Sequence, residues 1–535
     1  MKHKTLILDG YSLTIEDVYH TAHNHDMRIT ISEEALREMK KSRDWVEKIA
    51  SEGLPVVYGI NTGFGSKASV YIGKEKLKDL QRNLIKSHSA GAGEMVPIPV
   101  VRAAMLLRAN TLAKGYSGIR PKVVQLLLDM LQKQVIPAIP IQGSVGASGD
   151  LAPLSHMALV LSKDIHPEYD TEEESGMAYL FNPELNDYEL LPGKEAMKRA
   201  GLERIVLEAK EGLALNNGTQ ISTAIAALVI YETELLLKTA DATMALTLES
   251  LLGNSSPFHP KIQAVRPHPG QKITAENIRK LIVHSKLIDS HPQKVQDAYS
   301  IRCYPQVAGA IRETLSFAKN IVEREINAAN DNPLIFPDLE SENKTLSGGN
   351  FHGEPVAFAM DFMAIALSEL ASISERRIFR LVTNYLNYGL PSFLIKESGL
   401  ENGLMIAQYT AASIVSENKA FSHPASVDSI PTCEDQEDHV SMSPIAARKA
   451  LNILENTRTV LAIELLSAYQ AARLRTEKQS PEELLGDGSY RIYSFLSDYI
   501  LPLEKDRVIS NDIDLVKRII NSSDWHNLIA SLDLE

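Results

Sequence analysis

Five segments after residue 206, at roughly 218–252, 305–329, 353–384, 403–421 and 443–475, carry helical periodicity with few internal breakers. In the last of them Leu451, Leu454, Leu461 and Leu465 recur at helical spacings, flanked by Ile453, Val460 and Ile463. Segment 353–384 is apolar over a wide arc: Val356, Phe358, Met360, Phe362, Ile365, Leu367, Leu370 and Ile373. A helix that apolar is expected to lie buried among others. Thirty helical residues span about 45 Å, more than a compact domain of ordinary size is wide. The pattern therefore predicts a mainly α fold, an elongated bundle of long central helices whose apolar faces continue into an oligomer. Residues 1–205 read as a loop-rich N-terminal part, 206–476 as the central bundle and 477–535 as a small helical cap.

Composition narrows the function. Of 535 residues, 44% are hydrophobic and 23% charged, a globular rather than a disordered balance. Asp and Glu number 68 against 55 Lys and Arg, and the net charge of −13 repels phosphate backbones, so nucleic acid is not an expected partner. Cys303 and Cys433 are too few for a disulfide framework or a Cys-rich zinc site, which points to a reducing, cytoplasmic location. The start MKHKTLILDGYSLT has too brief an apolar run for a signal-peptide core, and no stretch reaches ~18 consecutive apolar residues. His20, His23 and His25 in HTAHNH have metal-like spacing but no third ligand type nearby, and read as a surface turn. No metal and no dissociable cofactor is expected. The segment HPEYDTEEESG (166–176) reads as an acidic surface excursion.

Two glycine-rich runs, YGINTGFGS (58–66) and IPAIPIQGSVGASGD (136–150), read as ordered loops. The second lacks the Gly-Lys-Ser/Thr ending of a phosphate loop, and Asp150 stands where the G-x-S-x-G elbow needs glycine. In GSVGASGDLAPLSH (143–156), Asp150 is a candidate N-cap for a following helix, with Pro153 tolerated in its first turn. The bland reading is a turn into a buried helix. The chemical reading is that the Gly149 nitrogen folds back onto the Ala147 carbonyl. Ring closure and dehydration of Ser148 then leave a 4-methylidene-imidazol-5-one, an electrophile made from the backbone itself.

That loop resembles the prosthetic-group loop of the aromatic amino acid ammonia-lyases and aminomutases. The similarity continues at YGINTGFGS, LQRNLIKSHSAGAG (80–93), KEGLALNNGTQ (210–220), QDAYSIRCYPQ (296–306), AANDNP (328–333), GGNFHGE (348–354) and QEDHVSM (436–442). The resemblance implies the fumarase/aspartase-like helical fold, a self-formed methylidene-imidazolone from Ala147-Ser148-Gly149, and a homotetramer whose active sites are shared between subunits. Within the family the pattern is most similar to the histidine ammonia-lyases. Three places carry this: Ser87-His88, the stretch 403–429 containing Met405, and the acidic Glu437 where relatives acting on phenyl or phenol rings usually carry a neutral residue. A carboxylate can hold an imidazole N–H, whereas a phenyl ring would leave it buried and unpaired.

The expected reaction is therefore deamination of L-histidine to trans-urocanate and ammonia. By resemblance Tyr58 is the candidate β-proton base, Tyr299 could assist, and Glu437 has a claim to either base or ring-binding duty. Arg302 would clamp the substrate carboxylate. His88, Asn217, Gln296, Phe351 and Met405 would bind the substrate or support the ring. Three departures bear on preference or access: Asn216 replaces the usual aliphatic residue, Tyr304 beside Arg302 could reshape the pocket, and the acidic insertion around 163–190 is longer than the compact pattern. A tyrosine ammonia-lyase or aromatic aminomutase using the same group is the alternative, and an inactive helical scaffold a remote one. A fumarase-type lyase would need a Met-Pro-x-Lys-x-Asn loop, which is absent from the sequence.

Overall fold

The computed structural model describes residues 5–397 and 399–535. Helix accounts for 57% of residues and strand for 9%, so the fold is mainly α as expected. The helices that position the candidate site are α1 (Leu77–His88), α2 (Ile98–Ala113), α3 (Leu151–Leu161) and α4 (Glu211–Asn216). The long ones follow: α5 (Gln220–Ser250), α6 (Tyr304–Glu325), α7 (Glu354–Val382), α8 (Met405–Phe421) and α9 (Ser443–Arg475). Their limits fall within a few residues of the five periodic segments, because side-chain spacing and breakers act locally. The end of α5 is a Schellman turn: Gly253 N–H bonds the Leu248 carbonyl (2.8 Å), Leu252 N–H bonds Glu249 (3.0 Å), and Leu252 takes a left-handed φ of 50°.

The chain divides into two compact units. The first comprises residues up to Tyr231 with Lys319–Asp361 and Pro424–Arg448. In it α3 packs on α1 and α4, and α2 is buried from Val100 to Ala113 on all sides. The strands are short: β1 (Ala92–Met95), β2 (Val135–Pro137), β3 (Pro140–Gln142), β4 (Met177–Asn182) and β5 (Asp187–Pro192). β1 pairs with β3, and β2-β4-β5 form an antiparallel sheet with Ile136 opposite Tyr179 and Leu180 opposite Glu189. The acidic segment 166–176 is anchored rather than a free excursion. Asp170 takes Arg204 Nη1 at 2.9 and 3.1 Å, Glu174 pairs with Lys86 at 2.6 Å, and Ser175 is buried. Its acids compensate Arg82 and Arg204, guanidiniums buried under it.

The second unit holds Glu232–Ala318, Phe362–His423 and Lys449–Glu535. Buried polar bonds tie its helices together. Arg377 of α7 grips Glu464 of α9 through Nε and Nη2 (both 2.6 Å), and Thr247 of α5 donates to the same carboxylate (2.9 Å). Burying that pair is tolerable because both ends are multiply bonded. The terminal residues form short helices at Asp487–Ser497, Ile509–Ile520 and Ser523–Ala530.

One expectation needs correcting. α7 is not buried over its whole apolar arc: Val356, Met360, Leu367 and Leu370 are fully buried, but Phe358, Phe362 and Ile365 are 44%, 43% and 48% exposed. A full circle of contacts needs more neighbours than one chain supplies. By length and composition α5 and α7 could each cross a membrane, yet 78% and 67% of their most apolar windows are buried inside the fold.

Candidate active site

The loop between β3 and α3 is bent back on itself at Gly146 and Gly149, both with φ 74°. A Cβ on Gly149 would lie 2.1 Å from the Gly218 carbonyl oxygen, so no other residue fits. Bridge pairing of Ala147 with Gly149 brings the two ends of the triplet together. Gly218 N–H and Asn217 Nδ2 both donate to the Ser148 carbonyl (3.3 Å each), and Asp150 N–H donates to the Gly218 carbonyl (2.7 Å). On the opposite side Ser144 Oγ donates to the Gly149 carbonyl (3.0 Å) and accepts from Gly146 N–H (3.1 Å).

Behind this cradle stands Arg108, a residue the motifs did not single out. It is fully buried on α2 and donates to the carbonyls of Ala214 (3.0 Å) and Asn217 (2.8 Å), and to Gln220. Those bonds set the bend from α4 into the Asn217-Gly218 donor pair. Burial pulls its guanidinium down to about 10.

Asp150 does not cap α3 as expected. It is buried, and its carboxylate accepts from Ser222 N–H and Ser222 Oγ, both at 2.8 Å, so it caps the first turn of α5 instead. Burial pushes its pKa up to about 6, against the lowering effect of the Ser222 bonds and Arg108.

Glu437 reaches the triplet from a turn in which Cys433, Glu434 and Asp435 all take left-handed φ values of 52°, 56° and 66°. Three consecutive non-glycine residues in that region store strain, as functional turns often do. The turn is closed by Thr432 N–H to the Glu437 carbonyl (2.9 Å). Ser148 Oγ donates to Glu437 Oε1 (3.0 Å), and Thr432 Oγ1 donates to Oε2 (2.8 Å). Thr432 is a second residue that sequence reasoning missed; only its position five residues before Glu437 hinted at it.

Tyr58 sits on the other glycine-rich loop, which docks on the same turn through Ser66 N–H to Cys433 Sγ (3.4 Å) and Lys67 to Glu434 (2.9 Å). Its hydroxyl accepts from Gly65 N–H (3.2 Å). Burial raises the phenol above its ordinary value, Gly65 N–H lowers it, and the Glu437 charge raises it further. Burial desolvates this phenol, one of the two ways by which a phenol can be fitted to act as a base. His88 ends α1 with Nδ1 3.1 Å from Ser87 Oγ. Its imidazole is held below its ordinary value by burial, with the Leu84 carbonyl and Glu437 acting in the opposite sense.

The first unit therefore brings Tyr58, His88, Ala147, Ser148, Gly149, Asn217 and Glu437 around one loop. Phe351 is half-buried on the loop Ser347–Gly353, which Asn332 anchors through Gly348 N–H (2.8 Å). Gln296, Tyr299, Arg302 and Met405 belong to the second unit. There Tyr299 is 69% exposed, and the Arg302 guanidinium lies 4.5 Å from its ring centroid with Nε buried and without a partner. Tyr304 is fully buried and donates to Asp241 (2.8 Å), which also takes Arg312 (2.6 Å). Asn216 likewise turns away from the Ser148 loop, donating to Ser155 Oγ of α3 (3.2 Å). The histidines of HTAHNH do not converge: His20 meets Glu16, His23 bonds the Tyr19 carbonyl, and His25 packs on Phe181 and Tyr188.

Comparison with known proteins identifies the family. Residues 13–497 match the family model described as aromatic amino acid lyase. A histidine ammonia-lyase of Caldanaerobacter subterraneus subsp. tengcongensis is 50% identical over 520 residues, 97% of each chain, and one of Stigmatella aurantiaca is 47% identical over 99% of each. Among solved structures, a histidine ammonia-lyase from Trypanosoma cruzi superposes with a TM-score of 0.88 at 40% identity, covering 99% of this chain and 96% of that one. A tyrosine aminomutase from Streptomyces globisporus gives 0.89 at 35% identity, covering 99% and 100%. With its glycine-bent Ala-Ser-Gly loop, its mainly helical fold and a family match across most of its length, this chain belongs to the aromatic amino acid lyase family.

Proposed function

We propose that this carbon–nitrogen lyase acts as a histidine ammonia-lyase, converting L-histidine to trans-urocanate and ammonia. The observation that carries the reading is Glu437: a carboxylate held by Thr432 beside the Ala147-Ser148-Gly149 loop, 3.0 Å from the Ser148 Oγ that leaves as water when the ring forms, with the His88 imidazole sensing its charge. An imidazole substrate gives that carboxylate an N–H to bind; a phenyl ring gives it nothing. The near-full-length likeness to relatives named histidine ammonia-lyase supports the same substrate.

The loop fits a 4-methylidene-imidazol-5-one group. Ring closure needs a Gly149 nitrogen folded toward Ala147 with no Cβ in the way, and the crowding at Gly149 meets that need. Such a group supplies an electron-poor carbon that turns the substrate amine into a leaving group. The chain's own residues do the rest. Asn217 Nδ2 and Gly218 N–H, converging on the Ser148 carbonyl oxygen, stabilise negative charge arriving there. Arg302 pairs with the substrate carboxylate through its fork. Tyr58, with Tyr299 as helper, takes the β-proton, and its raised phenol makes turnover climb with pH on the alkaline side. His88, Gln296, Phe351 and Met405 bind the substrate or support the ring, as the family resemblance implies.

The same reading makes the protein a cytoplasmic homotetramer with shared active sites. The exposed apolar side chains of Phe358, Phe362 and Ile365 and the free state of both cysteines support it. The test is to offer purified protein histidine, tyrosine and phenylalanine and to identify products by mass, alongside an intact mass of the chain. Urocanate from histidine and a chain lighter by two waters are expected. Coumarate, a β-amino acid, or an active chain of full sequence mass overturns the reading.

A further inference from the structure

Two charges are sealed inside the first unit beside the bend that carries Tyr58. Lys210 Nζ lies 2.6 Å from Asp331 Oδ2, and neither side chain has any exposure to solvent. Asp331 Oδ1 accepts from Asn332 N–H (2.7 Å). Lys210 takes a left-handed φ of 73° just before α4, and its carbonyl accepts from Ala214 N–H (2.9 Å), so it starts the helix whose far end delivers Asn217. Gly59, the neighbour of Tyr58, packs onto this corner. A Cβ there would stand 2.5 Å from Leu213 Cδ2, 3.4 Å from Pro333 Cδ and 3.7 Å from Lys210 Cδ.

A buried ion pair is a poor stabiliser, because stripping water from two ions costs about as much as their attraction returns. Its place next to Tyr58 gives it another use. Burial raises the Tyr58 phenol and Gly65 N–H lowers it, while Glu437 and Cys433 from the turn and Asp331 from the opposite side all raise it further. A higher phenol is less ionised at a given pH and so a scarcer base. Left alone, Asp331 would add a full negative charge to that of Glu437. An ammonium in contact with the Asp331 oxygen turns that charge into a dipole, whose field at the phenol is much weaker. Asp331 in turn keeps the ammonium charged: burial lowers Lys210, Asp331 opposes through its charge and its hydrogen bond, and Arg108 of α2 lowers it again.

We propose that Lys210 is a positioning residue for proton removal: paired with Asp331, it cancels at the Tyr58 hydroxyl the negative charge that Asp331 would otherwise place there. The inference rests on Tyr58 being the β-proton base. Lys210 acts only through the charge it neutralises and takes no part in bond making.

The experiment follows kcat for histidine against pH in the full chain. Lys210→Gln keeps a donor for Asp331 and removes the charge, so the uncompensated carboxylate should move the alkaline inflection up by about half a pH unit or more. The double variant Lys210→Gln/Asp331→Asn removes both charges and should bring the inflection back to that of the parent. Lys210→Arg keeps the charge and should hold it there. Lys163→Gln, which takes the same charge from a surface pair with Glu203, should leave it unmoved. A merely structural role would lower the plateau rate without moving the inflection up in the single variant and back in the double. Circular dichroism checks folding. Should Lys210→Gln not fold, Asp331→Asn decides: its inflection should stay or fall, and a rise overturns the proposal. Tyr58→Phe separates the two readings. If it keeps the parent's inflection, Tyr58 is not the base; if it loses the inflection while Lys210→Gln leaves it unmoved, the role of Lys210 alone is overturned.

Discussion

Before ring formation Glu437 accepts from Ser148 Oγ on one oxygen and from Thr432 Oγ1 on the other, at the end of a turn with three left-handed residues; once Ser148 is dehydrated, Thr432 is the hydroxyl that remains. Hydrogen bonds to a charged group are worth about 1.5–3 kcal/mol, a factor of ten to a hundred. Thr432→Val keeps the backbone pairing and removes only the hydroxyl. We expect kcat/KM for histidine to drop roughly tenfold or more with circular dichroism unchanged; an unchanged kcat/KM would mean that Thr432 does not orient Glu437. Tyr58→Phe should cut kcat by about 10²–10⁴, the usual contribution of a proton-transfer group, and remove the alkaline rise in rate. A steady-state pH profile of both enzymes measures this. At this scale the sequence made the meeting of Ala147-Ser148-Gly149, Tyr58 and Glu437 around one loop legible, because those residues sit in motifs. It left Thr432 and Arg108 unseen, because their roles exist only through partners distant in the chain or in a strained turn.

Among the elements, the long helices are where local pattern and final structure agree best. The start of α5 is the instructive contrast. Residues 149–153 spell a capped helix start, but Asp150 turns its carboxylate to Ser222, more than seventy residues on, and α3 begins without a side-chain cap. The cross-chain bond prevails because the α5 terminus is buried, where an unpaired N–H is costly, and Ser222 supplies a second donor. Asp150→Ala therefore removes the cap of α5. A loss of about 1–2 kcal/mol of stability is expected, read as a lower midpoint in urea denaturation. The midpoint of an equally stable variant would show the bond to be dispensable.

At the scale of the whole molecule, stability should depend on pH through buried acids. Glu249, near the end of α5, accepts from Gly486 N–H (2.6 Å), and burial pushes it from 4.5 up to about 7. A carboxyl with a raised folded-state pKa binds its proton more tightly when folded. Its stabilising contribution is complete below about pH 4.5 and is lost as pH rises through 7. Glu249→Gln keeps the acceptor and removes the titration. It should gain on the order of 3 kcal/mol over the parent at pH 8 and little at pH 4.5. Denaturation at the two pH values decides; an equal difference at both would exclude Glu249 as the source.

The sequence by itself determined where the long helices run and which glycine-rich loop holds Ala147-Ser148-Gly149. Helical spacing is a local rule, and the three consecutive residues that the proposed ring needs leave a contiguous trace. Only the tertiary structure decided that Asp150 serves α5, that Tyr304 joins the core with Asp241, and that α7 leaves Phe358, Phe362 and Ile365 exposed. It also separated the histidines of HTAHNH. In each case the outcome depends on which distant groups meet in a desolvated space, where unpaired polar atoms cost most, and that is a property of packing rather than of spacing along the chain.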